Sequence, residues 1–583
     1  MDSQKFENIL NLSLEVTDEE RIQSEILDAA YNDETGKWDL IVRYAGDIEY
    51  LRDMGIQITY LISNYAIISA QKSLIDKISD YNEIIYVEIP KLVYSDVMEA
   101  RNEACITAAQ RQIYLDYDMG VSLNGEGIIC AVIDSGIDIF HPVFRNNDGT
   151  TRILEIWDQN VSGNPPAGYN LGSVFYEEDI NTLLVEYQNR KADIPTRDLS
   201  GHGTFVAGVM AGNFAENKDK NIGIATKSKL IVVKLNTTIK NGYPRTTELM
   251  QAVSYVYERA LFYGLPVSIN LSFGNAYGSH NGSSLIETFL DSISDRWKMC
   301  ISVGTGNEAA MGGHFQSFLS DGMIEKSDIF VGEFETTLDI QIWKSFEDKI
   351  NFFLVPPATS ERIPIINIRG KSEIQWKNEK IIIFYGGPSP YSTNQEIFIV
   401  ILPVTGNYIS SGRWSVEMEP ENIVTGQIDM WLTDSASLSG RTRFAAPAAN
   451  VTLTIPSTAE KVISVGAYDS DNLLYAGFSG RGFTRLNRFI KPELVAPGVN
   501  IMPAAVGGGV TMASGTSTAC PFVSGSAALL MQYGIVLGND VYLYGDKLKA
   551  YLIKGTKRLR DIYVYPNELV GYGALCLKDS III

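Results

Sequence analysis

Three side chains able to pass a proton between them stand at the edges of apolar segments: Asp134, His202 and Ser517. Ser517 follows a turn of small residues, Ser514-Gly515-Thr516, and opens an apolar run through Met531 spaced for a buried helix. At a helix N-terminus the first backbone N–H groups lack intrahelical partners, and the dipole favours negative charge on a nearby oxygen. His202 lies between Gly201 and Gly203, ahead of the small and apolar run Thr204–Gly212, so it projects from the first turn of a tightly packed helix. Asp134 ends the continuous apolar strand Ile128–Ile133 and precedes a Ser-Gly turn. A hydroxyl is a weak nucleophile at neutral pH. With an imidazole to take its proton and a carboxylate to orient that imidazole, it becomes an effective one. Asn307 lies just past the strand Trp297–Gly304, where its amide could donate to an oxyanion. Each residue alone reads equally well as a cap, a turn or a core histidine, so the weight rests on their conjunction.

Strands at Ile128–Asp134, Leu230–Leu235, Pro266–Phe273 and Trp297–Gly304 alternate with a helix at Thr247–Tyr263, which predicts a doubly wound α/β domain. Sites in such domains lie at the carboxyl ends of the strands, where Asp134 and Asn307 fall. From about Gly312 to Gly440 the periodicity changes to two, as in Leu338, Ile340 and Ile342 and again in Trp414, Val416 and Met418, predicting an inserted antiparallel β domain. The α/β pattern resumes at Val462–Ala467 and Lys491–Gly498. Ahead of all this, strands at Trp38–Tyr44, Gln57–Ile62, Tyr65–Ala70 and Ile84–Ile89 with helices at Asp47–Met54 and Gln71–Asp80 give the order βαββαβ of a ferredoxin-like domain. Residues 1 to about 36 read as a solvated acidic leader, and Lys91 to about Ala104 as an exposed linker. The domains are therefore 1–104, 105–312, 313–440 and 441–583.

The chain has 583 residues and a formal net charge of −21, which argues against nucleic-acid or anionic-membrane partners. Five cysteines, Cys105, Cys130, Cys300, Cys520 and Cys576, are odd in number with no CxxC pair, so the spacing indicates neither a disulfide framework nor a zinc site, and most read as buried thiols. The N-terminus lacks a basic stretch followed by an apolar one, and no stretch offers about 18 uninterrupted apolar residues, so the expectation is a protein made in the cytoplasm with no membrane span.

Val132-Ile133-Asp134-Ser135-Gly136-Ile137, Gly201-His202-Gly203-Thr204-Phe205-Val206-Ala207-Gly208 and Gly515-Thr516-Ser517-Thr518-Ala519-Cys520-Pro521 resemble the signature segments of subtilisin-like serine proteases, in that family's order Asp, His, Ser. The resemblance covers roughly 105–312 and 440–560. It implies Asp134, His202 and Ser517 as the catalytic triad and Asn307 as the oxyanion donor. It also implies Ser272, Phe273, Gly274 and Gly306 as substrate-binding positions, within Asn270-Leu271-Ser272-Phe273-Gly274 and Gly306-Asn307. The N-terminal domain is similar to the family's propeptide, which implies an intramolecular chaperone and bound inhibitor, cut off within about residues 90–105. The inserted β domain resembles the jelly roll of clostridial Csp germination proteases, which implies a protein precursor as substrate, the zymogen of a spore-cortex hydrolase, and packaging in the spore.

Val143 stands where many secreted relatives have a calcium-ligating carboxylate, so that site is not expected; no metal or cofactor is. Cys520 reads as an inert buried thiol. Acidic residues near the substrate strand are few, so the sequence gives no evident preference for a basic residue before the scissile bond (P1). Two rival functions stand beside the main one: a catalytically silent subtilase acting as a scaffold, which the intact triad disfavours, and an intracellular subtilisin for general turnover, which the β insertion disfavours.

Overall fold

All six residues of the strand Ile129–Asp134 are buried, as a strand covered by helices on both faces must be. The computed structural model describes residues 4–32, 35–91, 103–107, 109–110, 123–188, 195–213, 223–237 and 242–581. In it this strand sits inside a nine-stranded sheet, between the parallel strands Lys229–Lys234 and Val267–Leu271. Ile153–Asp158 extends the parallel sheet on one side; Met299–Gly304, Ile463–Asp469 and Leu494–Pro497 extend it on the other. The antiparallel strands Ser173–Tyr176 and Leu474–Tyr475 close the two edges. The chain lays down strands on one side of Asp134 first and on the other side afterwards, and this reversal opens a crevice at the carboxyl ends.

Alternating side chains serve two cores. Cys130 and Val132 pack with the helices His202–Ala211 and Thr516–Met531; Ile129, Ala131 and Ile133 pack with Thr246–Tyr263 and Leu285–Ser294. The helical stretch Thr516–Val536 is long and apolar enough to cross a membrane by length and composition, but it is a mostly buried core element. Between His314 and Phe444 a six-stranded and a five-stranded antiparallel sheet enclose their own core, which includes Leu338, Ile340, Ile342, Trp414 and Val416. This two-sheet insertion is the antiparallel β domain that the period of two predicts.

The N-terminal strands Lys37–Tyr44, Gln57–Leu61, Tyr65–Ala70 and Ile84–Glu88 pair in the antiparallel ferredoxin-like order, with the fourth beside the first and the third between first and second. The first predicted helix is a 3-10 turn, Glu49–Met54, ended by Gly55 in the left-handed region. The solvated-leader expectation is overturned. Asn8–Glu15, Asp18–Gln23 and Glu25–Asp28 are helices, and Phe6, Ile9, Leu10 and Leu12 are buried in one core with Ile382, Phe384, Phe398 and Val400 of the insertion. Average polarity hid a helix with one apolar face.

The N-terminal domain is tied to the rest by one ion pair and several buried hydrogen bonds. Arg245, at the start of the helix Thr246–Tyr263, reaches Asp39 Oδ2 at 2.9 Å and the Ala29 carbonyl at 3.0 Å while bonding Glu248 at 2.7 Å. Lys91, expected in an exposed linker, is buried: its Nζ pairs with Glu7 (2.6 Å) and Glu88, and its backbone bonds Thr246 in both directions. Glu7, Glu88, Lys91 and Glu396 of the insertion line one cavity, in which Glu396 accepts from Asn8 Nδ2 at 2.9 Å. Burial pushes Glu7 from 4.5 up to about 8 and Glu396 up to about 7.

Both folded values lie above the unfolded one, so the junction binds protons that the unfolded chain releases. Its stabilisation is full below about pH 4.5 and is lost as pH rises through about 7 to 8, at up to about 1.4 kcal/mol per pH unit per group. The melting temperature of the full chain is expected to fall between pH 6 and 9, and to fall less in Glu396→Gln; calorimetry across that range checks it.

The cysteine expectation needs one correction. Cys105 and Cys576 form a disulfide across 471 residues, while Cys130, Cys300 and Cys520 are buried thiols. Beside the disulfide, Leu577 N bonds the Ala104 carbonyl and Lys557 pairs with Glu103, so the segment after the linker is fastened to the C-terminal region. Residues 92–102, most of the predicted linker, lie outside the described residues.

Candidate active site

Asp134 is delivered by the end of the central strand, His202 by the first turn of its helix and Ser517 by the first turn of the helix Thr516–Met531. The helix of His202 comes close enough only because Gly203 has no side chain: a Cβ there would lie 2.1 Å from the Gly136 carbonyl oxygen and 3.1 Å from Asp134 Cβ. His202 Nδ1 is 2.6 Å from Asp134 Oδ1, and His202 Nε2 is 3.2 Å from Ser517 Oγ. The three residues, scattered over almost 400 positions of sequence, thus form one hydrogen-bonded chain. Asp134 is wholly buried; its Oδ1 also accepts from Ser135 N at 2.7 Å, and its Oδ2 has no partner among the described residues. The carboxylate's interactions are therefore directed through the oxygen that meets the imidazole.

Asn307 follows the strand Met299–Gly304 and its Oδ1 accepts from Thr516 N at 3.1 Å, one residue before Ser517. Gly306 N donates to Thr516 Oγ1 at 3.0 Å. Ser272, Phe273, Gly274, Gly306 and Asn307 all line one cleft of about 90 Å³, so the structure brings the sequence-predicted binding positions together. Gly306 has a φ of +81°, and a Cβ there would fall 2.4 Å from Thr454, which explains its side-chain requirement. Ser272 Oγ donates to the Ser517 carbonyl at 3.3 Å, joining the substrate strand to the serine helix. Cys520 is buried, with burial pushing its thiol up, as an inert thiol should be. Among the described residues no group of three or more His, Cys, Asp or Glu is placed to hold a metal ion.

Asp198 is a positioning residue that sequence reasoning passed over, although it opens the segment containing His202. Its two oxygens accept from Gly201 N (2.9 Å), Thr204 N (2.8 Å), Thr204 Oγ1 (2.7 Å) and Ser135 Oγ (2.9 Å). Ser135 Oγ accepts in turn from Gly203 N at 2.9 Å. One buried carboxylate thus holds the turn after Asp134 and the helix start of His202 in register. Asp198→Ala is expected to lower kcat about 10- to 100-fold with KM changed less than about 3-fold, because a small displacement of the imidazole misaligns proton transfer. Asp198→Asn, which keeps acceptor oxygen, should lose less; steady-state kinetics of both variants checks this.

Comparison with known proteins adds the lineage. Residues 125–412 and 439–573 match the subtilase family, and residues 4–91 match the Csp protease B prodomain. The solved CspB protease of Clostridium perfringens is 34% identical, with a TM-score of 0.73, covering 82% of this chain and 96% of that one. The serine protease AprX of Bacillus subtilis is 35% identical over 150 residues, 22% of this chain and 32% of AprX. The PII-type proteinase of Lactococcus lactis subsp. cremoris is 23% identical over 531 residues, 82% of this chain and 26% of the proteinase. The chain therefore spans about a third or less of the length of these two curated relatives. With its matched profile over most of the sequence, its doubly wound sheet and a CspB-type prodomain in front, the chain belongs to the subtilase family of subtilisin-like serine endopeptidases.

Proposed function

We propose that this protein is a self-processing serine endopeptidase that activates a protein precursor by limited cleavage, and that the precursor is the zymogen of a spore-cortex hydrolase during germination. The observation that carries the catalytic part is the Asp134–His202–Ser517 chain at 2.6 and 3.2 Å. Ser517 Oγ attacks the scissile carbonyl while its proton passes to His202 Nε2, and Asp134 stabilises the imidazolium through Nδ1. The tetrahedral oxyanion is held by the Asn307 amide and the backbone N–H of Ser517. Collapse of the intermediate expels the amine, which takes the proton from His202; water, deprotonated by the same imidazole, then releases the acid. The peptide lies along Ser272–Gly274. The N-terminal domain serves first as a folding aid and then as a bound inhibitor, a reading that its Asp39–Arg245 ion pair and the hydrogen bonds between Lys91 and Thr246 support.

The precursor and the spore setting rest on the resemblance to Csp germination proteases and on the CspB-type prodomain; synthesis in the cytoplasm and packaging in the spore belong to the same reading. Incubating the purified full chain with a cortex-hydrolase zymogen tests it. One new zymogen fragment of defined mass, absent with Ser517→Ala, supports the proposal; an unprocessed zymogen alongside an active enzyme refutes the substrate assignment and leaves the protease.

A further inference from the structure

The substrate cleft contains charge that the sequence did not reveal. Among its described lining residues the charged ones are Glu308, next to Asn307, and Asp434, from the loop after the last long strand of the insertion, Gln427–Leu432. Both carboxylates are held in place. Glu308 accepts from Ser435 Oγ at 2.8 Å and from Ser435 N at 3.3 Å, bridging the α/β domain and the insertion across the cleft. Asp434 Oδ2 accepts from Ala276 N at 3.0 Å, two residues past Gly274 of the substrate strand. Asp434 is 2% exposed and Glu308 half-buried, whereas Met311, which also lines the cleft, is 45% exposed. The cleft thus combines apolar lining from Phe273 and Met311 with two carboxylates and no cationic side chain among its described lining residues, a combination that suits a long aliphatic stem ending in a cation.

Resting on the protease reading above, we propose that this cleft selects a substrate with lysine or arginine at P1, and that Asp434, supplied by the insertion, is a specificity-determining residue with Glu308 as its partner. The inserted domain then does more than decorate the fold: its loop at residues 434–436 forms one wall of the cleft, so loss of that wall changes which bonds are cut. A net charge of −21 acts in the same direction by drawing cationic segments toward the molecule. Glu308 sits beside Asn307 in the sequence but Asp434 comes from a distant segment, so only the fold shows that the two carboxylates share the cleft.

The test uses the full-length, self-processed enzyme with peptides that differ only at P1. Wild type is expected to cleave arginine and lysine peptides at least about 10-fold better, in kcat/KM, than leucine or phenylalanine peptides. Asp434→Asn and Glu308→Gln are each expected to abolish most of that advantage, lowering the ratio of basic to leucine kcat/KM by about 10-fold or more, as loss of one charge-assisted hydrogen bond would. A small aryl amidine should slow labelling of wild type by a fluorophosphonate probe, a readout that stands even if a variant fails to fold. An enzyme that labels with the probe but prefers apolar P1, or is indifferent to the amidine, overturns this inference and leaves the protease reading intact. An enzyme that does not label overturns both.

Discussion

Ser517→Ala is expected to leave the chain whole, while wild type releases an N-terminal fragment cut within about residues 90–105. The substitution removes one oxygen from a buried position, where Oγ meets His202 Nε2. Folding should therefore survive, and the loss should be one of chemistry. In subtilisin, removal of the serine costs about 10⁶ in turnover, and the same loss is expected here because nucleophile, base and carboxylate act as a unit. Intact mass and a denaturing gel read the result directly. A cut in both proteins would mean that another protease made it; a wild type that stays whole would mean that the hydrogen-bonded chain is silent.

The hydrogen-bonded chain Asp134–His202–Ser517 was legible in sequence because the proposed chemistry fixes residue types and the geometry fixes their neighbours. His202 needs Gly203 for its helix to approach Gly136, and the serine helix needs small residues at its start, so the functional residues sit in recognisable surroundings. The central strand was legible for a similar reason: six buried residues in a row admit few other readings. What stayed hidden depends on pairings between distant segments. Cys105 and Cys576 are 471 residues apart, and an odd cysteine count gives no clue to their union. Asp434 reaches the cleft because the insertion folds back on the α/β domain, which no local pattern encodes. The N-terminal leader misled because its apolar face is covered in part by Ile382, Phe384, Phe398 and Val400, on strands of a domain some 370 residues later. Lys91 misled in the same way, as a charged linker residue whose burial is compensated by Glu7 and Glu88. Local chemistry is visible locally; tertiary compensation is not.

Asp134→Asn separates the geometry of the chain from its charge. Asp134 Oδ1 accepts both from Ser135 N at 2.7 Å and, across 2.6 Å, from His202 Nδ1. An asparagine that keeps its carbonyl oxygen in that place satisfies Ser135 and preserves the tautomer in which Nε2 can take the serine proton. Its amide nitrogen then occupies the position of Oδ2, which has no partner among the described residues, and a buried unsatisfied donor costs about 1–3 kcal/mol. If the amide instead flips to satisfy itself elsewhere, Ser135 N loses its acceptor and Nδ1 meets a donor, which forces the proton onto Nε2 and removes the base. Either way the imidazolium formed during attack has lost its counter-charge in a buried site, where that charge matters most. The expected result is a fall in kcat of about 10⁴, smaller than for the serine, as found for the equivalent carboxylate in other serine proteases. The melting temperature should drop by a few degrees, in line with one unsatisfied donor. Rates of self-cleavage and of fluorophosphonate labelling, measured beside thermal melting, distinguish this from unfolding. A loss below about 10-fold would mean that the carboxylate does not act through His202, and the role assigned to Asp134 would fall with it.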